Sequence, residues 1–181
     1  MRSLLALLLF LPILLNAQLL KPTGKKWNSK EITDKINDST IYFIDTTIVS
    51  RNDLSSVEPS DIALITAYFE DEPDLPAMFK SYLKNGAIAF VTKAYAISKY
   101  RTELSRMSND YQELTRWHSS NRDSVLYVVD GDTLKPNIEG KLVNLNYAQI
   151  NTIQVVFPDE GQKTYGDKGR FGVVFINPRK D

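Results

Sequence analysis

The chain has 181 residues, no cysteine, and balanced charge, with 22 Lys and Arg residues against 22 Asp and Glu residues. This balance excludes the basic footprint that binding to nucleic acid or to an acidic membrane surface requires. Without cysteine there is no disulfide framework, no thiolate metal site and no cysteine nucleophile, so an ordinary apolar core must stabilise the fold.

Residues 1–17 have the layout of a secretory signal peptide. Arg2 supplies the positive start, an apolar run extends from Leu4 to Leu15, and Ala17 is the small residue before the expected cleavage. A membrane anchor is the alternative, but the run is shorter than the ~20 residues that span a bilayer. We therefore expect export, no transmembrane segment in the mature chain, and a polar, lysine-rich leader over residues 18–40.

Residues 41–94 predict a first half of mixed strands and helices. Short apolar runs bounded by turn residues are typical of strands, and Pro beside acidic residues is typical of a helical turn. The strands are expected at Ile41–Ile44, Ala63–Phe69 and Ala87–Val91, the short turn within Val57–Ile62, and a helix at Leu75–Lys84, ended by Asn85 and Gly86.

A long amphipathic helix is predicted over residues 95–120. Apolar residues recur there at alternating steps of three and four, which is the helical period: Ile97, Tyr100, Leu104, Met107, Tyr111 and Leu114. The alternatives for this stripe are core packing and a partner-binding coiled coil. Core packing is favoured, because the stripe covers fewer than the ~3–4 heptads that indicate a coiled coil.

The pattern of the first half recurs in residues 121–181. Leu126–Asp130 corresponds to Ile41–Asp45, and Gln149–Phe157 corresponds to Asp61–Phe69. Gly172 and the strand after it correspond to Gly86 and its strand. We interpret this as an internal duplication, with the helix over 95–120 as the connection between two halves.

The second half resembles the plug domain of TonB-dependent outer-membrane receptors, especially the SusC-like branch. The residues that carry the resemblance are Leu126–Gly131, Ile150–Val156 and above all Tyr165–Ile176, with Tyr165, Gly166, Lys168, Gly169 and Gly172 as its structural motif. The glycines suit a helix that must stop and reverse into a strand, and we expect the Tyr165 ring to lie over that turn. Val156-Phe157-Pro158 departs from the Leu-Lys pair usual in the family.

The resemblance implies an α+β fold of two plug-like βαβαβ halves. It implies a non-enzymatic periplasmic subunit that binds or occludes an outer-membrane β-barrel protein, at the inner face of the outer membrane. The plug subunit of the type nine secretion translocon is a precedent for such a role. The sequence stops at Asp181 without a receptor barrel, so we expect the chain to act on a barrel supplied by another protein.

No residue constellation in the sequence predicts a catalytic, cofactor or metal site. His118 is the only histidine and lies in a polar segment, the acidic runs Asp130–Asp132 and Glu70–Asp74 lack the spacing of a calcium loop, and the glycines of the motif precede a strand rather than a helix. The competing classes are an exported hydrolase accessory with a carboxylate site, and an exported ligand-binding or adhesion module that uses Trp27 and Trp117.

Overall fold

The computed structural model describes residues 37–68, 85–117 and 125–179. The described residues divide into two compact units, and the division lies between Ala96 and Ile97. Each unit is built on a four-stranded mixed sheet, so the chain has the mixed strand and helix content predicted from the sequence.

The first unit contains strands β1 to β4. Their bounds are β1 Ile41–Ile44, β2 Thr47–Val49, β3 Ile62–Tyr68 and β4 Ala87–Thr92, and 3₁₀ helices lie at Arg51–Ser56 and Pro59–Asp61. The strand order is β2-β1-β4-β3, with β1 parallel to β4 and the other pairs antiparallel. The predicted strands and the turn at Pro59 are confirmed, whereas β2 and the first 3₁₀ helix were not predicted. The helix predicted at Leu75–Lys84 lies outside the described residues.

The second unit repeats this strand order. Its elements are β5 Leu126–Val129, β6 Asp132–Thr133, α3 Ile138–Val143, a 3₁₀ helix at Tyr147–Gln149, β7 Ile150–Val156, α4 Pro158–Tyr165, a 3₁₀ helix at Gly166–Gly169, and β8 Val173–Pro178. The order is β6-β5-β8-β7, again with a parallel central pair. The register of the outer pair shifts between Ile150 and Thr152, at the position where the first sheet shifts between Ile62 and Leu64.

The structure has two helices in the region where the sequence predicted one helix over residues 95–120. Helix α1 covers Lys93–Met107 and helix α2 covers Asn109–Trp117, so the prediction of a single connecting helix is corrected. The Ser108 hydroxyl accepts a hydrogen bond from the Tyr111 N–H at 3.2 Å, as an N-cap residue does. This local cap starts a new helix without interrupting the apolar period.

The apolar stripe of α1 and α2 packs into the core of the second unit. Tyr100, Leu104, Tyr111 and Leu114 are buried there with Tyr127, Val174 and Ile176 of the sheet and with Leu142 of α3. Met107, which belongs to the same predicted stripe, is 43% exposed. The buried members of the stripe are therefore core packing, and Met107, the residue before the break at Ser108, is not.

Candidate interaction site

The turn between α4 and β8 contains all five residues of the predicted motif. Helix α4 ends at Tyr165, Gly166 follows with φ of 62° and ψ of −145°, and Gly172 has φ of 95° immediately before β8 begins. Residues with a Cβ rarely adopt these dihedrals. The expectation that glycines stop the helix and reverse the chain into a strand is confirmed at these two positions.

Gly169 is required for a different reason, which is a close backbone contact. A Cβ on Gly169 would lie 2.6 Å from the Gly161 carbonyl carbon and 2.9 Å from the Tyr165 Cβ, and it would also strike the Gly161 carbonyl oxygen. Both glycines are buried. The sequence analysis did not single out Gly161, although a glycine inside a helical segment often has a packing reason.

The other two motif residues lie at the surface of the turn. Tyr165 is 39% exposed, and its ring packs on Phe175 of β8 with centroids 6.2 Å apart, so it lies against the strand. Lys168 is exposed, and the Arg170 guanidinium stacks on the Phe171 ring at 4.5 Å. The turn thus presents the Arg170 guanidinium and the Tyr165 ring at its surface, and arginine and aromatic side chains are enriched at protein interfaces.

Four tyrosines contribute to the core of the second unit: Tyr100, Tyr111 and Tyr127 are members of the core, and Tyr147 packs against it. The hydroxyls of Tyr111 and Tyr127 are 3.0 Å apart, and the rings of Tyr100 and Tyr127 meet edge to face with centroids 5.9 Å apart. The Tyr147 hydroxyl donates a hydrogen bond to the Leu142 carbonyl at 2.7 Å. These contacts satisfy buried hydroxyls within the core, so we interpret the cluster as structural.

Burial raises the pKa of all four of these tyrosines above its ordinary value. Desolvation of the phenolate is the main cause in each case. Neighbouring charges contribute less. Nearby Glu139 raises the pKa of Tyr100, whereas Arg101 lowers it. The phenols therefore stay protonated at neutral pH and supply hydrogen bonds rather than a base or a nucleophile.

An apolar groove of about 500 Å³ opens at β3 in the first unit. Its walls come from the segment between β2 and β3, from the first half of β3, and from β4. The lining residues are Leu54, Val57, Pro59, Ile62, Ala63, Leu64, Ile65 and Phe90. Ile65 is 55% exposed, although it lies in the middle of a strand. A strand-centred isoleucine open to solvent beside a concave apolar wall is typical of an interaction surface.

The acidic hairpin at Asp130 has a partly polar pocket beside it. The pocket is lined by Asp130, Gly131, Asn151, Asn177 and Pro178. Asp130 and Gly131 both have positive φ, which makes the two-residue hairpin between β5 and β6. Among the residues that the structure describes, no three His, Asp or Glu side chains come together as metal ligands.

Several residues considered from the sequence lie outside the described ranges. They are His118, the acidic run Glu70–Asp74, Trp27, and the side chain of Trp117. Within the described ranges, no helix combines the length and the apolar character needed to cross a membrane. Comparisons with protein-family models, with curated proteins and with solved structures found no match to this chain.

Proposed function

We propose that this protein is a non-enzymatic, periplasmic, plug-like subunit that binds or occludes an outer-membrane β-barrel protein, such as a transporter or a protein-secretion channel. The observation that carries the proposal is the turn between α4 and β8. The sequence signature shared with plug domains falls on backbone that needs glycine at Gly166, Gly169 and Gly172. The signature therefore has a physical basis in this fold. The predicted signal peptide supports export.

The proposal includes two plug-like halves that arose by internal duplication. Both sheets have the same strand order, a parallel central pair and a register shift at the same place. Asp45 and Asp130 both have positive φ after the first strand of their sheet, and Gly86 and Gly172 both have positive φ before the last. Five agreements of this kind between the two units favour duplication over coincidence.

The partner surface that we assign to this function is the exposed side of the glycine turn. Lys168 and Arg170 provide charge, and Tyr165 provides an aromatic contact held against Phe175. Aromatic and arginine side chains dominate the energetics of many protein interfaces.

Photocrosslinking in intact cells of the source organism tests this proposal. A photoreactive amino acid replaces Lys168 in one strain and Asp110, an exposed acid on α2, in a control strain. We expect a β-barrel protein crosslinked from position 168 and not from position 110, in the outer-membrane fraction. Recovery of no barrel protein from either position, or release of the chain into the medium, would refute the proposed function.

A further inference from the structure

The two sheets allow the same face to be compared in two environments. In the second sheet, Val129, Ile176 and Ile153 form a row across β5, β8 and β7. The corresponding row in the first sheet is Ile44, Phe90 and Ile65, by the same register. Side chains of one row point to one face, so the two rows mark equivalent faces.

The second sheet has this face covered by amphipathic helices. Ile176 is buried, and Ile153 and Val129 pack against the cluster that contains Tyr100, Leu104, Tyr111 and Leu114 from α1 and α2. The cover is thus a helical stripe of leucine and tyrosine, spaced by three or four residues.

The first sheet leaves the corresponding row partly open. Leu54 of the 3₁₀ helix packs with Tyr42, Ile88 and Ala67, which belong to the adjacent row. Ile65 is outside that cluster and is 55% exposed, whereas its counterpart Ile153 is half-buried. The groove at Ile65 and Phe90 is therefore the place where the first unit lacks the helical cover of the second, among the residues described.

The wall of the groove carries net negative charge. The segment 51–61 contains Arg51 and three carboxylates, Asp53, Glu58 and Asp61, and all four residues are exposed. Asp53 accepts hydrogen bonds from the Ser50 hydroxyl at 2.7 Å and from the Ser50 N–H at 2.9 Å, and these bonds lower its pKa. The wall therefore attracts a cationic ligand at neutral pH.

We propose that this groove binds the apolar stripe of an amphipathic helix of another protein, with basic residues on the flanks of that helix. The apolar stripe of the partner helix covers the first sheet as α1 and α2 cover the second sheet. The basic residues on its flanks form ion pairs with Glu58 and Asp61. This surface lies in the first unit and is separate from the glycine turn of the proposed function. Evidence against one of the two proposals therefore does not count against the other.

A pair of synthetic peptides tests the inference on the mature chain, residues 18–181. Both peptides are about 18 residues long, which exceeds the ~12–15 residues below which an isolated helix is marginal. They share one leucine stripe at the spacing i, i+3, i+4 and i+7, and they carry either lysine or glutamate on the polar face. Fluorescence anisotropy measures binding. We expect the lysine peptide to bind about tenfold more tightly than the glutamate peptide at low salt.

Two pairs of variants locate the binding. Ile65→Gln is expected to weaken lysine-peptide binding about tenfold. Ile48→Gln, which changes a 39% exposed isoleucine on the opposite face of the same sheet, leaves binding unchanged. Glu58→Gln with Asp61→Asn weakens binding about fivefold, and the matched change Asp159→Asn with Glu160→Gln on α4 does not.

Three results would overturn the inference. Equal effects of Ile65→Gln and Ile48→Gln mean that the peptide binds without using the groove. Binding of the glutamate peptide as tightly as the lysine peptide contradicts the charge argument. Tighter peptide binding after Ile32→Asn with Ile36→Asn in the leader means that this chain's own N-terminal segment is the occupant. Loss of the barrel crosslink from position 168 affects none of these measurements.

Discussion

Gly169→Ala gives the sharpest test of the glycine turn. Gly169 needs no unusual dihedral, so the substitution adds one methyl group and changes little else. That methyl would meet the backbone of Gly161 and the Cβ of Tyr165, at 2.6 Å and 2.9 Å for the nearest carbon atoms. None of these atoms is the free end of a side chain, so relief requires movement of α4 against the 3₁₀ helix.

The expected cost follows from this geometry. Overpacking a core position typically costs ~1–3 kcal/mol, and rigid obstacles place this case at the upper end, about 3 kcal/mol. In a unit of this size each kcal/mol lowers the melting temperature by roughly 4–8 °C, so we expect a fall of more than about 10 °C. Lys168→Ala is the control, because Lys168 is exposed, and we expect a change within about 0.5 kcal/mol.

Urea unfolding followed by circular dichroism measures both variants, with scanning calorimetry for the melting temperature. The free energy of unfolding and the slope against urea are compared with those of the parent chain. A loss below about 0.5 kcal/mol for Gly169→Ala would show that the contact with Gly161 is not rigid. An equal loss for Lys168→Ala would refute the assignment of Lys168 to the surface of the turn.

Three further predictions concern the cores of the two units. Tyr111→Phe or Tyr127→Phe breaks the buried hydroxyl pair at 3.0 Å and is expected to cost about 1–2 kcal/mol, with the double variant costing less than the sum in a double-mutant cycle. Because burial raises the pKa of Tyr100, Tyr111, Tyr127 and Tyr147, their contribution to stability is complete below the unfolded value of about 10 and is lost as pH rises above it. Alkaline titration at 295 nm should therefore show these phenols ionising only together with unfolding, and gradual ionisation of a folded chain would contradict this. Asp45→Asn keeps the tolerance for positive φ but removes the carboxylate that accepts the Thr92 N–H at 2.7 Å and the Thr92 hydroxyl at 3.0 Å, so we expect a loss of about 1–2 kcal/mol in urea unfolding, against less than about 0.5 kcal/mol for Asp130→Asn.

The sequence predicts the longer strands well because their apolar runs end at turn residues. Ile41–Ile44, Leu126–Val129 and Ile150–Val156 were all expected within one or two residues of the observed bounds. The hairpin strands β2 and β6 were missed, since they are short, largely exposed and lack an apolar pattern. For β6 a signal existed, because Asp-Gly favours the two-residue hairpin that the structure has.

The helix break and the groove were beyond sequence reasoning for separate physical reasons. Apolar steps of three and four continue through Ser108, so periodicity alone cannot detect that its hydroxyl caps a new helix. The run Ile62–Tyr68 is apolar at nearly every position. It therefore predicts a strand without indicating that Ile65 stays exposed. The helix break thus follows from one local side-chain cap, whereas the exposure of a residue within a strand is decided by tertiary packing.

The two units differ at the residue that contacts the hairpin aspartate, which is Thr92 in the first unit and Pro178 in the second. Thr92 of the first unit donates two hydrogen bonds to Asp45 and accepts one from the Tyr95 N–H at the start of α1. The corresponding residue of the second unit is Pro178, which pairs with Ile150 as Thr92 pairs with Ile62. Proline has no N–H, so it cannot make the main contact that Thr92 gives Asp45. The Asp45 position is therefore structural in the first unit, while in the second unit Asp130 faces an open pocket, and this asymmetry is why Asp130→Asn serves as the control for Asp45→Asn.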